Sequence, residues 1–364
     1  MRVAVDARVL GKPDPAGVTR YTDSLLRALA ARDDGVSYLV FGVESLPAGL
    51  RDAPAVENAG VAPPVPSGPR AQAWEQVTLP RALRRYDVDL CHATAGFAPA
   101  LADVPTVWTV HDLSPITHPE WFSRGYATLY RVLTPAVLRR VDGVITISEF
   151  SKTEIERVYP HVENVTAVHN GVTPIPADNV SPVDSLTPGE FFLFVGSLSP
   201  RKNVSRLLEA YERYRERADD PLPLVLAGAQ KDVFAATDRP PVDGVRPLGF
   251  VPDAQRNWLY HNATALLFPS LYEGFGLPIL EAMSADTPVL TSDRGAMAEV
   301  AGDAAVLVDP TDPEAVADGT TRLSSDPTLR TRLAAAGRDR VEEFTWAATA
   351  TGTLAVYRGV TGAG

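Results

Sequence analysis

Short runs of β-branched and aromatic residues alternate along this chain with longer stretches whose apolar positions recur every three to four residues. The first half predicts strands at 2–7, 37–42, 87–92, 105–111, 143–148 and 165–169, with helices near 18–31, 72–85, 125–140 and 149–158. A proline-rich segment with little apolar periodicity follows, and residues 176–190 are expected to form a linker. The alternation then restarts. Strands are predicted at 191–196, 222–228, 245–249, 263–268, 288–292 and 304–308, and helices at 203–217, 253–261, 277–284, 313–324, 327–343 and from 346 onward. Strands that alternate with helices predict an α/β fold of two tandem Rossmann-like, doubly wound domains, the first at 1–175 and the second at 191–343. In such sheets ligands sit beyond the carboxyl ends of the strands, so strand-to-helix junctions are where chemistry is sought. A second proline-rich stretch, Ala62-Pro63-Pro64-Val65-Pro66-Ser67-Gly68-Pro69, reads as a surface loop or as a mobile loop on the acceptor side.

A length of 364 residues fits two domains at about 150 residues each. An apolar fraction of 45% with 22% charged residues excludes a disordered or collagenous chain. Cys91 is the single cysteine, so neither an intrachain disulfide nor a cysteine zinc site is expected. No apolar window reaches the roughly 18 residues of a membrane span, and Asp6 interrupts the start too early for a signal peptide. A cytoplasmic protein is expected. The net charge of −11 argues against a nucleic-acid partner, and it divides as 17 − 20 = −3 over residues 1–180 and 17 − 25 = −8 over 181–364. Only 4 of the 34 basic residues are lysine, which fits a high-salt cytoplasm or GC-rich codon usage equally. No third glycine completes Gly274-Phe275-Gly276 as a dinucleotide fingerprint, and no Walker A, H-E-x-x-H or C-x-x-C string occurs.

The most informative string is Phe268-Pro269-Ser270-Leu271-Tyr272-Glu273-Gly274-Phe275-Gly276-Leu277-Pro278-Ile279-Leu280-Glu281. A strand ends at Phe268, a two-glycine loop follows, and Pro278 suits a first helical turn. Gly274 and Gly276 let backbone N–H groups approach a ligand, and a helix N-terminus favours an anion. Glu273 before the helix and Glu281 about a turn into it can reach different hydroxyls of one extended phosphate-containing ligand. The bland alternative makes them a cap and a solvated helix residue. Arg201 and Lys202 follow another predicted strand that ends at Gly196, where a planar fork and a point charge suit phosphate oxygens. His111 falls at the carboxyl end of a buried-strand pattern, and His92 ends a neighbouring one. Asp87-Val88-Asp89 has the form of a metal-binding D-x-D but begins a predicted strand instead of ending one, so no metal site is assigned.

Glu273 through Glu281 resembles the E-x7-E motif of retaining GT-B glycosyltransferases of family 4. Gly196-Ser197-Leu198-Ser199-Pro200-Arg201-Lys202-Asn203, Asn170-Gly171-Val172, Val110-His111-Asp112-Leu113 and Gly17-Val18-Thr19-Arg20-Tyr21 resemble further family strings in the same order, although the usual glycine pair is here Ala16-Gly17. The resemblance implies an interdomain cleft and a C-terminal segment, 344–364, that returns to the N-terminal domain. It also implies transfer of a hexose from a nucleotide-diphosphate donor to an acceptor hydroxyl with retention and without a divalent metal. His111, Glu273, Arg201 and Lys202 are then the catalytic set, and Gly17, Gly196, Phe275, Gly276, Leu277 and Glu281 the donor-binding set. His111 and Glu273 are implied to contact the donor sugar and Glu281 the ribose hydroxyls.

The stretches 111–122 and 147–152 resemble the mannosyltransferase-B-like branch, which makes GDP-mannose the first-choice donor and a UDP-hexose or other GDP-sugar the second. An oligosaccharide or lipid-linked acceptor is implied. Arg81, Arg84, Arg85, Arg139 and Arg140 are candidates for peripheral membrane contact, against the simpler reading of solvated helix faces. Tandem Rossmann-like domains also serve sugar-nucleotide 2-epimerases, sugar phosphorylases and non-catalytic binders, so these remain open at the level of sequence.

Overall fold

Segments such as Thr106–Val110 and Phe192–Val195 are rich in β-branched and aromatic residues and lie almost wholly inside the protein, as strands covered on both faces by helices must. The computed structural model describes residues 1–12, 17–65, 68–228 and 242–362. The chain divides into one unit of Met1–Gly171 with Thr345–Gly364 and another of Val172–Phe344.

In the first unit β1 (Arg2–Asp6), β2 (Ser37–Phe41), β3 (Val56–Asn58), β4 (Leu90–Ala93), β5 (Thr106–Val110), β6 (Gly143–Thr146) and β7 (Val165–Ala167) form one parallel sheet, ordered β3-β2-β1-β4-β5-β6-β7. The order reverses direction between β1 and β4, which opens a crevice at their carboxyl ends. Phe97, Trp108, Val110 and Val137 belong to the apolar core with the helix Arg124–Leu138. Leu39, Phe41, Trp74 and Leu83 form a second core. The last helix, Trp346–Thr361, is capped by Thr345, whose hydroxyl accepts the Ala348 N–H at 3.1 Å. It packs on the helix Gly17–Ala30 and on β5 and β6. Gly143 permits that approach, because a Cβ there would stand 2.9 Å from Val360.

The second unit repeats the logic with β8 (Phe192–Val195), β9 (Leu224–Ala227), β10 (Val245–Gly249), β11 (Ala265–Phe268), β12 (Val289–Ser292) and β13 (Val306–Val308), in the order β10-β9-β8-β11-β12-β13. Its switch point lies between β8 and β11, the strands that precede the Arg201-Lys202 and Glu273–Glu281 segments. Residues 176–190 carry no helix or strand and lie in this unit, where Ser181 N–H donates to Ala254 at 3.0 Å.

Three departures from the sequence reading have physical causes. The strand expected from residue 87 begins at Leu90, because Asp89 uses its carboxylate to accept the Arg2 N–H at 2.7 Å before the ladder starts. The edge strand β3 is three residues long, too short for a period-two pattern to register. The helix expected at 72–85 is broken by a π-helical stretch, Trp74–Thr78, between Pro69–Ala73 and Leu79–Leu83. Ala16 of the glycine-loop resemblance, and Pro66 and Ser67 of the proline-rich loop, lie outside the described residues.

Candidate active site

In the second unit the carboxyl ends of β8 and β11 hold a compact charged group. After β8, Gly196 leads into a short 3-10 turn, Pro200–Lys202, that ends at Asn203. Asn203 takes a left-handed conformation, φ 61° and ψ 29°, which asparagine tolerates better than most residues. Its buried amide donates to the Pro269 carbonyl at 2.9 Å and the Pro310 carbonyl at 2.6 Å. The Arg201 carbonyl in turn accepts the Leu271 N–H at 2.7 Å. Three loops are thereby tied together, and the tie turns Arg201 and Lys202 toward Glu273.

Arg201 Nη1 donates to Glu273 Oε2 at 3.1 Å, while Lys202 Nζ stands 2.6 Å from Glu273 Oε1. Glu273 is 6% exposed and Lys202 7%. Lys202 also lies over the Phe268 ring, 4.5 Å from its centroid. Burial raises the Glu273 carboxyl, but the neighbouring Lys202 and Arg201 charges outweigh it and hold the group below its ordinary value. Burial pulls the Lys202 ammonium down, with Glu273 opposing and Arg201 adding to the fall.

Gly276 precedes the helix Leu277–Ser284 with φ 113°, in the region that favours glycine, and a Cβ there would press on Ile279 at 3.0 Å. Pro278 lies in the first turn, where its missing N–H costs nothing. Glu281, one turn in, is buried and accepts the Tyr260 O–H at 2.7 Å. The field of Glu281 reaches Lys202, so both carboxylates act on one cationic pair. The Phe275 ring packs edge-on to Phe344 with centroids 5.7 Å apart, and Leu277 is half-buried. Thus Gly196, Arg201, Lys202, Glu273, Phe275, Gly276, Leu277 and Glu281 all lie along the carboxyl end of one sheet. Asn203 and Tyr260, which brace this group, escaped the sequence reading. A left-handed asparagine and a distant tyrosine leave no periodic signal.

In the first unit His111 directly follows β5 and is half-buried. Its Nε2–H donates to the Thr94 carbonyl at 2.9 Å; a carbonyl only accepts, so Nε2 carries the proton and the neutral ring keeps Nδ1 as an acceptor. Burial lowers the His111 pKa against the opposing effects of Thr94 and Asp112, which favours that neutral form. The Tyr21 ring meets His111 edge-on, with centroids 4.8 Å apart. Tyr21 lies one turn into the helix that Gly17 opens, and the space a Gly17 side chain would take is empty to 4 Å. His92 is buried between Tyr357 OH, 2.6 Å from Nδ1, and Thr109 Oγ1, 2.8 Å from Nε2. Burial, with His111 nearby, lowers its pKa to about 3.

Asp87 and Asp89 stand ahead of β4, at the amino end of the sheet, away from the carboxyl ends where ligands bind. Among the described residues no cluster of three or more histidine, cysteine or acidic side chains is arranged to hold a metal ion. Arg81, Arg84, Arg85, Arg139 and Arg140 are all exposed. No helix among the described residues is long and apolar enough to cross a membrane.

Residues 15–174 match the family described as Glycosyltransferase Family 4, and residues 182–340 match Glycosyl transferases group 1. The chain is 33% identical over 303 residues to an O-antigen chain mannosyltransferase B of Escherichia coli, covering 80% of this chain and 77% of that protein. A glycogen synthase of Mycobacterium tuberculosis is 30% identical over 286 residues, covering 75% and 69%. The solved sucrose-phosphate synthase from Thermosynechococcus elongatus superposes with a TM-score of 0.76 at 21% identity, covering 100% of both chains.

Proposed function

The chain belongs to the retaining glycosyltransferases of family 4, with the GT-B fold, and from that premise we propose that it transfers a mannosyl group from GDP-mannose to a glycan hydroxyl. The observation that carries the donor-site reading is Glu273 clamped by Arg201 and Lys202 at the carboxyl end of the second sheet. A nucleoside diphosphate accumulates negative charge as the sugar leaves, and a preorganised guanidinium and ammonium lower the energy of that state more than that of the bound donor. On this reading the leaving diphosphate takes the two cations, and Glu273, released from them, receives a donor-sugar hydroxyl. The backbone N–H groups after Gly276 add dipole stabilisation, and Glu281, held by Tyr260, accepts from the ribose hydroxyls. His111 offers the donor sugar a neutral ring of fixed tautomer.

Glu273 is assigned no nucleophilic role. In retention without a carboxylate nucleophile, the leaving phosphate oxygen accepts the proton of the incoming hydroxyl on the face from which the sugar departs. The C–O bond to phosphate breaks as the C–O bond to the acceptor forms, and the proton passes from acceptor to phosphate. Mannose is favoured by the Escherichia coli relative, while the glycogen synthase relative supports a glucosyl donor as the second reading. We place the reaction in the cytoplasm, with a lipid-linked acceptor met at a membrane surface through the exposed arginines of the first unit.

A thermal-shift panel of GDP, UDP, dTDP and ADP sugars tests the donor, because a ligand that binds only the folded state raises apparent stability. GDP-mannose is expected to give the largest shift, and incubation with an acceptor to release GDP with an α-linked product seen by NMR. A larger shift with a UDP-hexose replaces the donor. Conversion of the sugar nucleotide without nucleotide release, or turnover that depends on orthophosphate, replaces the reaction with epimerisation or phosphorolysis.

A further inference from the structure

A second polar cluster lies at the switch point of the first sheet. Asp6 closes β1, Arg8 follows it, and Glu75 projects from the π-helical stretch, a helix irregularity that recurs at functional sites. Arg8 Nη2 donates to Glu75 Oε1, which also accepts the Phe97 N–H at 3.2 Å. Asp6 Oδ1 accepts the Arg8 N–H at 3.2 Å, and Asp6 Oδ2 stands 3.9 Å from Arg8 Nε. Gly42 at φ 92° and Gly96 at φ 71° leave the room Arg8 needs, since a Cβ at either position would collide with it. All three charged side chains are buried, yet Asp6 Oδ2, Arg8 Nε and Glu75 Oε2 lack hydrogen-bond partners, and Arg8 Nη1 bonds none of the described residues. A buried group built to this degree and left under-bonded is unusual for a purely structural ion pair.

Phe97 joins this cluster to a row of aromatic rings that leads to the surface. Phe97 and Tyr130 have centroids 4.7 Å apart, Tyr130 and Tyr126 4.7 Å, and Tyr126 and Phe122 5.4 Å in a stacked arrangement. Tyr126 O–H donates to Tyr130 OH at 3.1 Å, and Tyr126 remains 41% exposed. Asp112, the neighbour of His111, acts on both tyrosines, and Glu75 acts on Tyr130. The row therefore runs from Arg8 and Glu75 past the residue next to His111.

We propose that this row and the Arg8 edge form a saccharide subsite for the acceptor: a pyranose ring lies on Tyr126 and Phe122, and a hydroxyl meets the guanidinium that Asp6 and Glu75 hold in place. The apolar C–H face of a pyranose suits an aromatic platform, and its hydroxyls suit a fixed planar donor. Two carboxylates facing one guanidinium make a poor site for phosphate, so the ligand is a neutral sugar. Burial raises both the Asp6 and Glu75 carboxyls, which lets the pair keep a proton and removes the excess negative charge. The proposal deepens the transferase reading and rests on it for the identity of the ligand as acceptor.

Saturation-transfer NMR with methyl α-mannopyranoside and methyl α-glucopyranoside, alongside transfer assays with a soluble oligosaccharide, tests it. Tyr126→Ala is expected to abolish the saturation signal and raise acceptor KM about tenfold, while Tyr126→Phe retains both and the donor thermal shift is unchanged. An unchanged acceptor KM and NMR signal in Tyr126→Ala overturns the subsite. So does a variant that loses only cosedimentation with anionic phosphatidylglycerol vesicles, because the row is then a membrane contact. Tyr126-dependent saccharide binding by a wild-type protein that binds no sugar nucleotide leaves the subsite standing and removes the transferase reading.

Discussion

Glu273→Gln separates two things the Glu273 carboxylate does. In the ligand-free protein it is the counter-charge of Lys202 at 2.6 Å and of Arg201 at 3.1 Å, in a position only 6% exposed. Two unit charges about 4 Å apart at an effective dielectric near 20 interact by about 4 kcal/mol. Removing one member of a buried pair costs about 3–5 kcal/mol, because the other charge stays desolvated. Arg201 is more open than Lys202 and reaches solvent, so Lys202 bears most of the loss and the lower figure applies. About 3 kcal/mol corresponds to a fall in Tm of roughly 6–12 °C for a unit of this size.

Nucleotide binding is expected to move the opposite way. A diphosphate competes with Glu273 for the same cations, so removing the carboxylate is expected to tighten GDP binding about tenfold, or about 1.4 kcal/mol. Turnover falls at the same time, because the donor sugar loses its carboxylate contact. Differential scanning calorimetry with and without GDP, isothermal titration and a steady-state assay measure the three quantities. The signature is a less stable free protein that binds product more tightly and works more slowly. An unchanged Tm in the free variant, or weaker GDP binding, would refute the ion-pair reasoning. The native carboxylate also sets a pH dependence: its pKa in the fold is depressed, so its stabilisation is complete above the unfolded carboxylate value and is lost as pH falls through the lower folded value. Acid titration of the native protein is expected to show this loss, and Glu273→Gln to lack it.

Four further outcomes are expected. Arg201→Ala/Lys202→Ala loses transfer by at least a hundredfold in kcat/KM, and a fully active double variant removes the phosphate assignment. Tyr260→Phe deletes the 2.7 Å bond to Glu281 and raises donor KM several-fold with kcat nearly kept, as steady-state kinetics would register. Tyr357→Phe leaves His92 Nδ1 without its buried partner, and a loss of about 1–3 kcal/mol in urea unfolding checks it. Asp6 is raised to about 6 by burial despite Arg8, so the folded protein holds this proton more tightly than the unfolded chain. Its contribution is present below the ordinary carboxylate value and is lost as pH rises from about 4 to about 6. Urea midpoints across that window are expected to fall in the native protein relative to Asp6→Asn.

What the sequence made legible follows from where the information sits. The strands that carry the site, β5, β8 and β11, are buried along almost their whole length, and such runs stand out in one dimension. The residues just after them, His111, Gly196 and Pro269, are then fixed as loop positions. Pro278 and Gly276 marked the helix start through local backbone rules alone, and that helix begins at Leu277. The pairing of Glu273 with Arg201 and Lys202 was not legible as a contact, since 71 or more residues separate the partners and only the adjacency of β8 and β11 brings their loops together. The π-helical break around Glu75 was invisible for a different reason: its apolar positions still fit a continuous helix, and the irregularity depends on what Glu75 meets in three dimensions.

That difference bears on how the two units divide the work. In the second, four charges gather at one switch point with matched signs, two cations against Glu273 and Glu281, and the group is close to neutral until a polyanion arrives. Such a site binds a diphosphate by exchange, one carboxylate yielding to another anion, which keeps the cations ordered in its absence. In the first, Asp6 and Glu75 outnumber Arg8, and burial keeps a proton on the pair instead of recruiting a second cation. A site of that kind gains nothing from a phosphate and suits hydroxyls. The same doubly wound architecture, used twice, thus presents an anion-exchanging crevice in one unit and a neutral, aromatic-lined one in the other. The chemical difference between a charged donor and a neutral acceptor is written in which side chain follows the first strand of each half: Arg8, already claimed by two acids, or the Arg201-Lys202 pair, claimed by one that can leave.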